Sequence, residues 1–150
     1  MGRVITIAAA QLGPVPRSAH RGAVVARMLA HMEQAARVHA TLVVFPELAL
    51  TTFFPRWAID DDALLDGFFE TLMPSQETQP LFEVARRLQM GLCIGYGELA
   101  HEAGGRRRFN SSALIGPDGG SIGHYRKVLL PGDREPQPGF EHQHLEKRYP

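Results

Sequence analysis

The sequence predicts an α/β fold in which a strand–helix–strand crossover precedes a β-meander. Two observations carry that prediction. The apolar runs "RVITIAAAQL" and "TLVVF" have strand length and bracket a segment of helical periodicity, with Val24, Val25, Met28, Leu29 and Met32 recurring on one face. Beyond Gly91 the pattern changes to short apolar runs separated by Gly- and Asp-rich turns. The composition, 44% hydrophobic and 21% charged, is that of a chain able to build a core.

The first run is apolar on both faces, as a strand covered on both sides would be. "GPVPRS" ends it, and Ser18 is placed to cap the helix, which runs to His39. Pro46 stops the second strand, since it has no N–H to offer a ladder. A strand, a helix and a second strand in that order imply a right-handed crossover with parallel pairing. From Thr51 to Pro74 the chain reads as loop, with a short acidic helical turn in "DDALLDGFFE". A further helix covers Gln79 to Gln89, with Leu81, Phe82, Ala85 and Leu88 on one face and Gly91 suited to its C-terminal cap. "LCIGYGEL", "FNSSALIG" and "SIGHYRKVLL" then form the meander, turning at "AGGRR" and "PDGG". No repeat, low-complexity segment or linker marks a second domain.

Lys+Arg and Asp+Glu are both 16, a formal net charge of +0, which argues against nucleic acid or an anionic membrane as the main partner. The one dense basic run, "GRRRF", falls at an expected hairpin turn and reads as solvated. Cys93 is the only cysteine, so no internal disulfide can form and a reducing, cytoplasmic setting is expected. No apolar run approaches the ~20 residues of a membrane span. "MGRVIT" formally matches a myristoylation pattern, but Val4, Ile5 and Ile7 lead straight into a strand, and no charged leader with a cleavage site is present.

Two charged residues stand out by position. Glu47 interrupts the apolar passage "TLVVFPELALTTFFPRW" just past the end of a parallel strand, where functional groups of open α/β sheets gather. Phe45, Phe53 and Phe54 are expected to desolvate its carboxylate and raise its pKa toward a general-base range. The alternative is a structural ion pair. Lys127, one of only two lysines, ends "SIGHYRK" at another strand terminus and could present a point charge to a developing oxyanion. A plain surface lysine is the rival reading. Cys93 lies mid-strand in "GLCIGYG" and reads as a small buried thiol. His142 and His144 form an H-x-H pair with His124 the only further histidine nearby, but no Asp or Glu completes a recognisable zinc spacing, and no serine lies in a G-x-S-x-G elbow.

"VVFPELALTTFFPRW", "RRFNSSALIGPDG", "YRKVLLPG" and "HLEKRY" together resemble the carbon–nitrogen hydrolase (nitrilase) superfamily, and within it the N-carbamoyl-D-amino-acid amidohydrolases. The resemblance runs in order along essentially the whole chain. It implies a four-layer α-β-β-α sandwich, of which residues 1–150 would be the N-terminal half: the crossover strands, the outer helices and part of a second sheet. It also implies hydrolysis of a non-peptide C–N bond by a Glu-Lys-Cys mechanism, with no metal or organic cofactor. Glu47 matches the general base and Lys127 the lysine that stabilises the tetrahedral intermediate. Glu146 matches a glutamate that positions the lysine, and His144 a residue of the substrate pocket. The nucleophilic cysteine of the pattern lies beyond Pro150, so the 150-residue chain alone is expected to be inactive.

The expected partners are a small-molecule substrate (an N-carbamoyl amino acid or an amide) and further copies of the chain, in a homodimer or homotetramer. As a half sandwich the chain should expose an apolar sheet face and dissolve poorly as a monomer. One departure is Leu129, which stands where the pattern has a pocket histidine. Leu129 and the end of the chain inside "HLEKRYP" leave open a truncated, non-catalytic relative acting at most as an interaction partner, and "TTFFPRW" favours the carbamoylase over the other alternative, an aliphatic amidase or nitrilase of the same superfamily.

Overall fold

The computed structural model describes residues 4–149, so Gly2 of the myristoylation pattern lies outside the described residues. Strand β1 (Ile7–Ala9) and strand β2 (Leu42–Val44) pair in parallel, with helix α1 (Arg21–Arg37) between them in sequence. α1 follows from its stripe of Val24, Val25, Met28 and Met32, each almost fully buried. His20, not Ser18, occupies its N-cap position and makes no side-chain capping bond. "GPVPRS" carries two prolines, and the chain does not enter the helix until that loop has ended.

Helix α2 (Asp62–Asp66) is the acidic turn, and the Asp61 carboxylate caps it by accepting from Ala63 N and Leu64 N. The reading of "DDALLDGFFE" as one helical turn is too long. Gly67 ends the helix, and Phe69–Glu70 form a short strand, β3, parallel to Gly97 and Glu98. Helix α3 (Gln79–Leu88) ends on Gln89 in the left-handed conformation (φ 51°), while Gly91 already belongs to strand β4. A polar side chain with a backbone carbonyl to bond, Arg86 O at 2.9 Å, takes the place of the expected glycine.

β4 (Gly91–Glu102), β5 (Gly105–Ile115) and β6 (Ser121–Arg126) are the antiparallel meander. β4 is 12 residues long. Its first three residues pair with β2, Gly97 and Glu98 with β3, and all but its first residue with β5. The described strands therefore form a single six-stranded sheet, and the expected share of a second sheet is not among them. A long central strand keeps the crossover and the meander in one ladder.

The two faces of this sheet differ. Val43, Leu92, Ile94, Ala113 and Ile115 point to one side and are buried under α1 and α3. Their neighbours in sequence, including Ala9, Val44, Cys93 and Leu114, share the other side, and none of these four is buried. Ile7 and Tyr125 on that side are exposed. β1 is thus covered on one face only, contrary to its two-sided apolar sequence. Among the described residues, no helix is long and apolar enough to cross a membrane.

Candidate functional site

Three chain segments converge over the uncovered face: the turn after β2, the exit of β6, and residues 143–146. The first is shaped by Pro46. Phe45 N still donates to Cys93 O (2.8 Å), the proline cannot donate, and pairing resumes only at Ala49 N with Gly95 O (2.8 Å). Between them the chain lifts over β4, with Leu48 at φ 48°. Gly95 permits this, since a Cβ there would lie 2.5 Å from Glu47 Cα. A glycine in the strand marks the close passage of another backbone, and it fixes where the Glu47 side chain begins.

The third segment is held from both sides. Gln143 N and Leu145 N donate to the carbonyls of Arg56 and Pro55 (2.8 and 2.7 Å), and Asp133 N donates to His144 O (2.8 Å). Gly132, at φ 79°, lies so close to His144 that a Cβ would meet its carbonyl oxygen at 2.0 Å. Leu145 is fully buried with Leu48, Phe54, Leu65, Phe69 and Tyr149 in a second apolar cluster. Burying a leucine of this kind contributes about 2 kcal/mol. The adjacent Glu146 is thereby drawn inward, to 4% exposure.

These constraints bring Glu47, Lys127 and Glu146 together. Lys127 Nζ lies 2.9 Å from Glu47 Oε2 and 2.8 Å from Glu146 Oε1. Asn110, on β5, donates through Nδ2 to the same two oxygens, at 3.1 and 2.7 Å. Its backbone carbonyl accepts from Lys127 N (2.8 Å). His144 is exposed at the rim. Its Nε2 is 3.6 Å from Glu146 Oε2, beyond hydrogen-bonding reach, and its ring meets Phe53 edge-on. Glu146 Oε2 is buried without a hydrogen-bond partner.

The electrostatics differ from the sequence expectation. Glu47 is half exposed, with 50% of its side-chain surface accessible. Burial is the largest single influence on its pKa and pushes it up. The hydrogen bonds from Lys127 and Asn110 and the charges of Lys127 and His144 together outweigh burial and hold the carboxyl below its ordinary value. The phenylalanines do not desolvate it enough, because Phe45 and Phe54 are in the core beneath. Lys127 is affected in the mirror sense. Burial lowers its pKa, and the two glutamates more than reverse this, so its pKa is raised. Glu47 is therefore held as a carboxylate beside the Lys127 ammonium, able to accept a proton rather than to donate one.

A cleft opens beside Glu47, lined by Val15, Pro46, Thr51, Phe53 and Arg56 among others. Leu129 is 85% exposed on the loop after Lys127. Cys93 lies mid-strand on the same sheet face, half-buried, with Sγ 3.5 Å from Ser112 Oγ. His124 bonds Glu98 on the opposite face and His142 stands against Trp57, so the three histidines do not converge. Among the described residues no three His, Cys, Asp or Glu side chains are grouped as metal ligands. Sequence reasoning missed Asn110. Its signal was the polar "NSS" inside an otherwise strand-forming run, since asparagine is depleted in strands.

The sequence model of a family described as carbon-nitrogen hydrolase matches residues 6–149. Among solved structures, a carbon-nitrogen hydrolase from Helicobacter pylori G27 superposes with a TM-score of 0.70 at 24% identity, over 97% of this chain and 44% of that one. An N-terminal amidase in complex with a Gln-Gly peptide gives 0.63 at 19%, over 84% and 28%. An amidase from Nesterenkonia sp. gives 0.59 at 19%, over 86% and 44%. At these identities the likeness concerns the fold, and the chain spans less than half the length of each structure.

Proposed function

Since the chain belongs to the carbon–nitrogen hydrolase family, we propose that it supplies the base and the oxyanion-stabilising half of a C–N hydrolase centre, with N-carbamoyl-D-amino acids as substrates. The reading is supported chiefly by the meeting of Glu47 and Glu146 on one ammonium, Lys127 Nζ, at 2.9 and 2.8 Å. The carbamoyl preference rests on the resemblance carried by "PELALTTFFPRW" and "HLEKRY". The fold relatives named amidases leave simple amides as the competing substrates.

In this reading a cysteine from polypeptide beyond residue 150 completes the centre, because covalent catalysis needs a thiolate and Cys93 is held in mid-strand. Glu47 takes the thiol proton, and the sulfur adds to the carbamoyl carbon. Lys127 stabilises the oxyanion through a proton not engaged by the glutamates. On collapse the C–N bond breaks, and the leaving nitrogen, of ammonia or of the amino acid, takes the proton held by Glu47. Water, deprotonated by the same carboxylate, then frees the cysteine. With the carbamoyl group lost as ammonia and carbon dioxide, the products are those plus the D-amino acid. Homodimeric or homotetrameric assembly and a cytoplasmic location belong to the same proposal.

The test is release of D-amino acids from their N-carbamoyl derivatives. The 150-residue chain and a version continued through the cysteine are assayed beside L-isomers, amides and nitriles. The continued chain should turn over and prefer the D-carbamoyl series, and the 150-residue chain should be inactive. Turnover by the short chain would overturn the assignment of the nucleophile, and preference for plain amides would overturn the substrate.

A further inference from the structure

We infer that Asn110 is a positioning residue: with Lys127 it closes a ring of four hydrogen bonds around Glu47 Oε2 and Glu146 Oε1, and so decides which atoms of the centre remain free to react. This rests on the hydrolase reading of the site. The ring runs from Lys127 Nζ to Glu47 Oε2 (2.9 Å), to Asn110 Nδ2 (3.1 Å), to Glu146 Oε1 (2.7 Å), and back to Lys127 Nζ (2.8 Å). Proton counting fixes its consequences. A carboxylate only accepts, an ammonium has three protons and an amide nitrogen two. Both amide protons and two ammonium protons are engaged. One ammonium proton, Glu47 Oε1 and the buried Glu146 Oε2 have no hydrogen-bond partner among the described residues. The first is the oxyanion donor, and the second is the atom that takes the thiol proton.

The chemistry also explains why an amide stands there. Two carboxylates and one ammonium carry a formal charge of −1. A second cation would neutralise the cluster and drain basicity from Glu47, and a third carboxylate would compete for Lys127. A neutral double donor holds both glutamates without either penalty. Were the amide turned over, its carbonyl oxygen would face two carboxylate oxygens, so Nδ2 is the atom the network requires. Asn110 also holds the Lys127 backbone through its own carbonyl. One residue therefore registers the base, the lysine and the second glutamate against β5.

The experiment follows the Glu47 carboxyl by carbon-13 NMR in the 150-residue chain and in Asn110→Ala and Asn110→Asp, with Glu98 on the opposite sheet face as an internal control of folding. The Glu47 midpoint should rise toward the ordinary carboxylate range in Asn110→Ala and further in Asn110→Asp, while Glu98 is unchanged. In the unsubstituted chain, the Asn110 side-chain amide protons should shift with the Glu47 titration. That measurement stands even if both variants fail to fold. In the chain continued through its cysteine, Asn110→Ala should lower kcat about 10- to 100-fold with KM within about twofold, and its acid limb should move to higher pH. A Glu47 midpoint identical with and without the amide, or Asn110 amide protons indifferent to Glu47, overturns the ring. If the ring titrates as described but the continued chain hydrolyses nothing, the hydrolase reading fails and the ring stands.

Discussion

Asn110 and Ser111 are consecutive residues of one strand, and each is built into a carboxylate cluster on a different face of the sheet. On the helix-covered side, Glu98 accepts from Ser111 Oγ (2.6 Å) and lies 3.0 Å from His124 Nε2, while Arg126 Nε and Nη2 grip both of its oxygens (3.0 and 2.6 Å). Arg126 reaches on to Glu102 (2.6 Å) and lies over the Phe109 ring, 3.8 Å from its centroid. On the uncovered side the cation is Lys127, and one Glu47 oxygen is left over. Burial acts on both Glu98 and Glu47 by raising the pKa, and in both the donated hydrogen bonds and nearby positive charge win and lower it. The difference is spare bonding capacity. A planar guanidinium spread over two carboxylates is a brace, whereas an ammonium with a proton in hand can do chemistry.

That contrast can be broken most sharply at Lys127. Lys127→Ala should lower kcat of the continued chain by about 10³-fold, the range for removing an oxyanion donor. Arg126→Gln should leave kcat within about twofold while lowering the Tm by a few degrees. Equal losses of activity in the two variants would erase the distinction.

Gly95→Ala comes next. It forces a methyl to within 2.5 Å of Glu47 Cα, and, with Glu47 as the proposed base, its displacement by about 1 Å should cost on the order of 100-fold in kcat of the continued chain. Activity unaffected by this change would mean that the turn after β2 is not what fixes Glu47.

The pH dependence sharpens the comparison further. Glu47 and Glu98 both have depressed pKa values, so each contributes stability that is present above the unfolded-state carboxylate value and is lost as pH falls through the lowered one. Lys127 has a raised pKa, so its contribution is present below the ordinary lysine value and is lost as pH rises through the raised one. Glu47→Gln should therefore flatten part of the acid limb of Tm against pH and remove part of the alkaline loss. Glu98→Gln should alter the acid limb and reach the alkaline one only through Tyr96, whose pKa the Glu98 charge helps to raise, leaving the loss tied to Lys127 in place. Two indistinguishable profiles would contradict the pairing with Lys127.

The smallest effect is expected at Cys93. Cys93→Ala should change stability by less than about 1 kcal/mol and leave kcat of the continued chain intact. Loss of turnover would restore that thiol as a nucleophile.

The order of crossover and meander was legible in the sequence because periodicity and turn residues are local. So were Glu47 and Lys127, each placed at a strand terminus by a proline or a following loop. Caps were less legible: Ser18 and Gly91 carry the right chemistry one turn away from where the helices begin and end. β3 was hidden because two residues of strand have no period of their own and pair only once β4 is alongside.

What the sequence by itself determined is the set of groups and the elements that carry them. Only the tertiary structure decided that residues 80 positions apart share a hydrogen bond, that Glu47 remains half in water with its pKa lowered, and that Asn110 joins them. The reason is physical. Charge, hydropathy and backbone preference are properties of a residue and its near neighbours. The free energy of a carboxylate depends on which donors the fold places within 3 Å, and those come from β5, from the exit of β6 and from a segment anchored by Leu145.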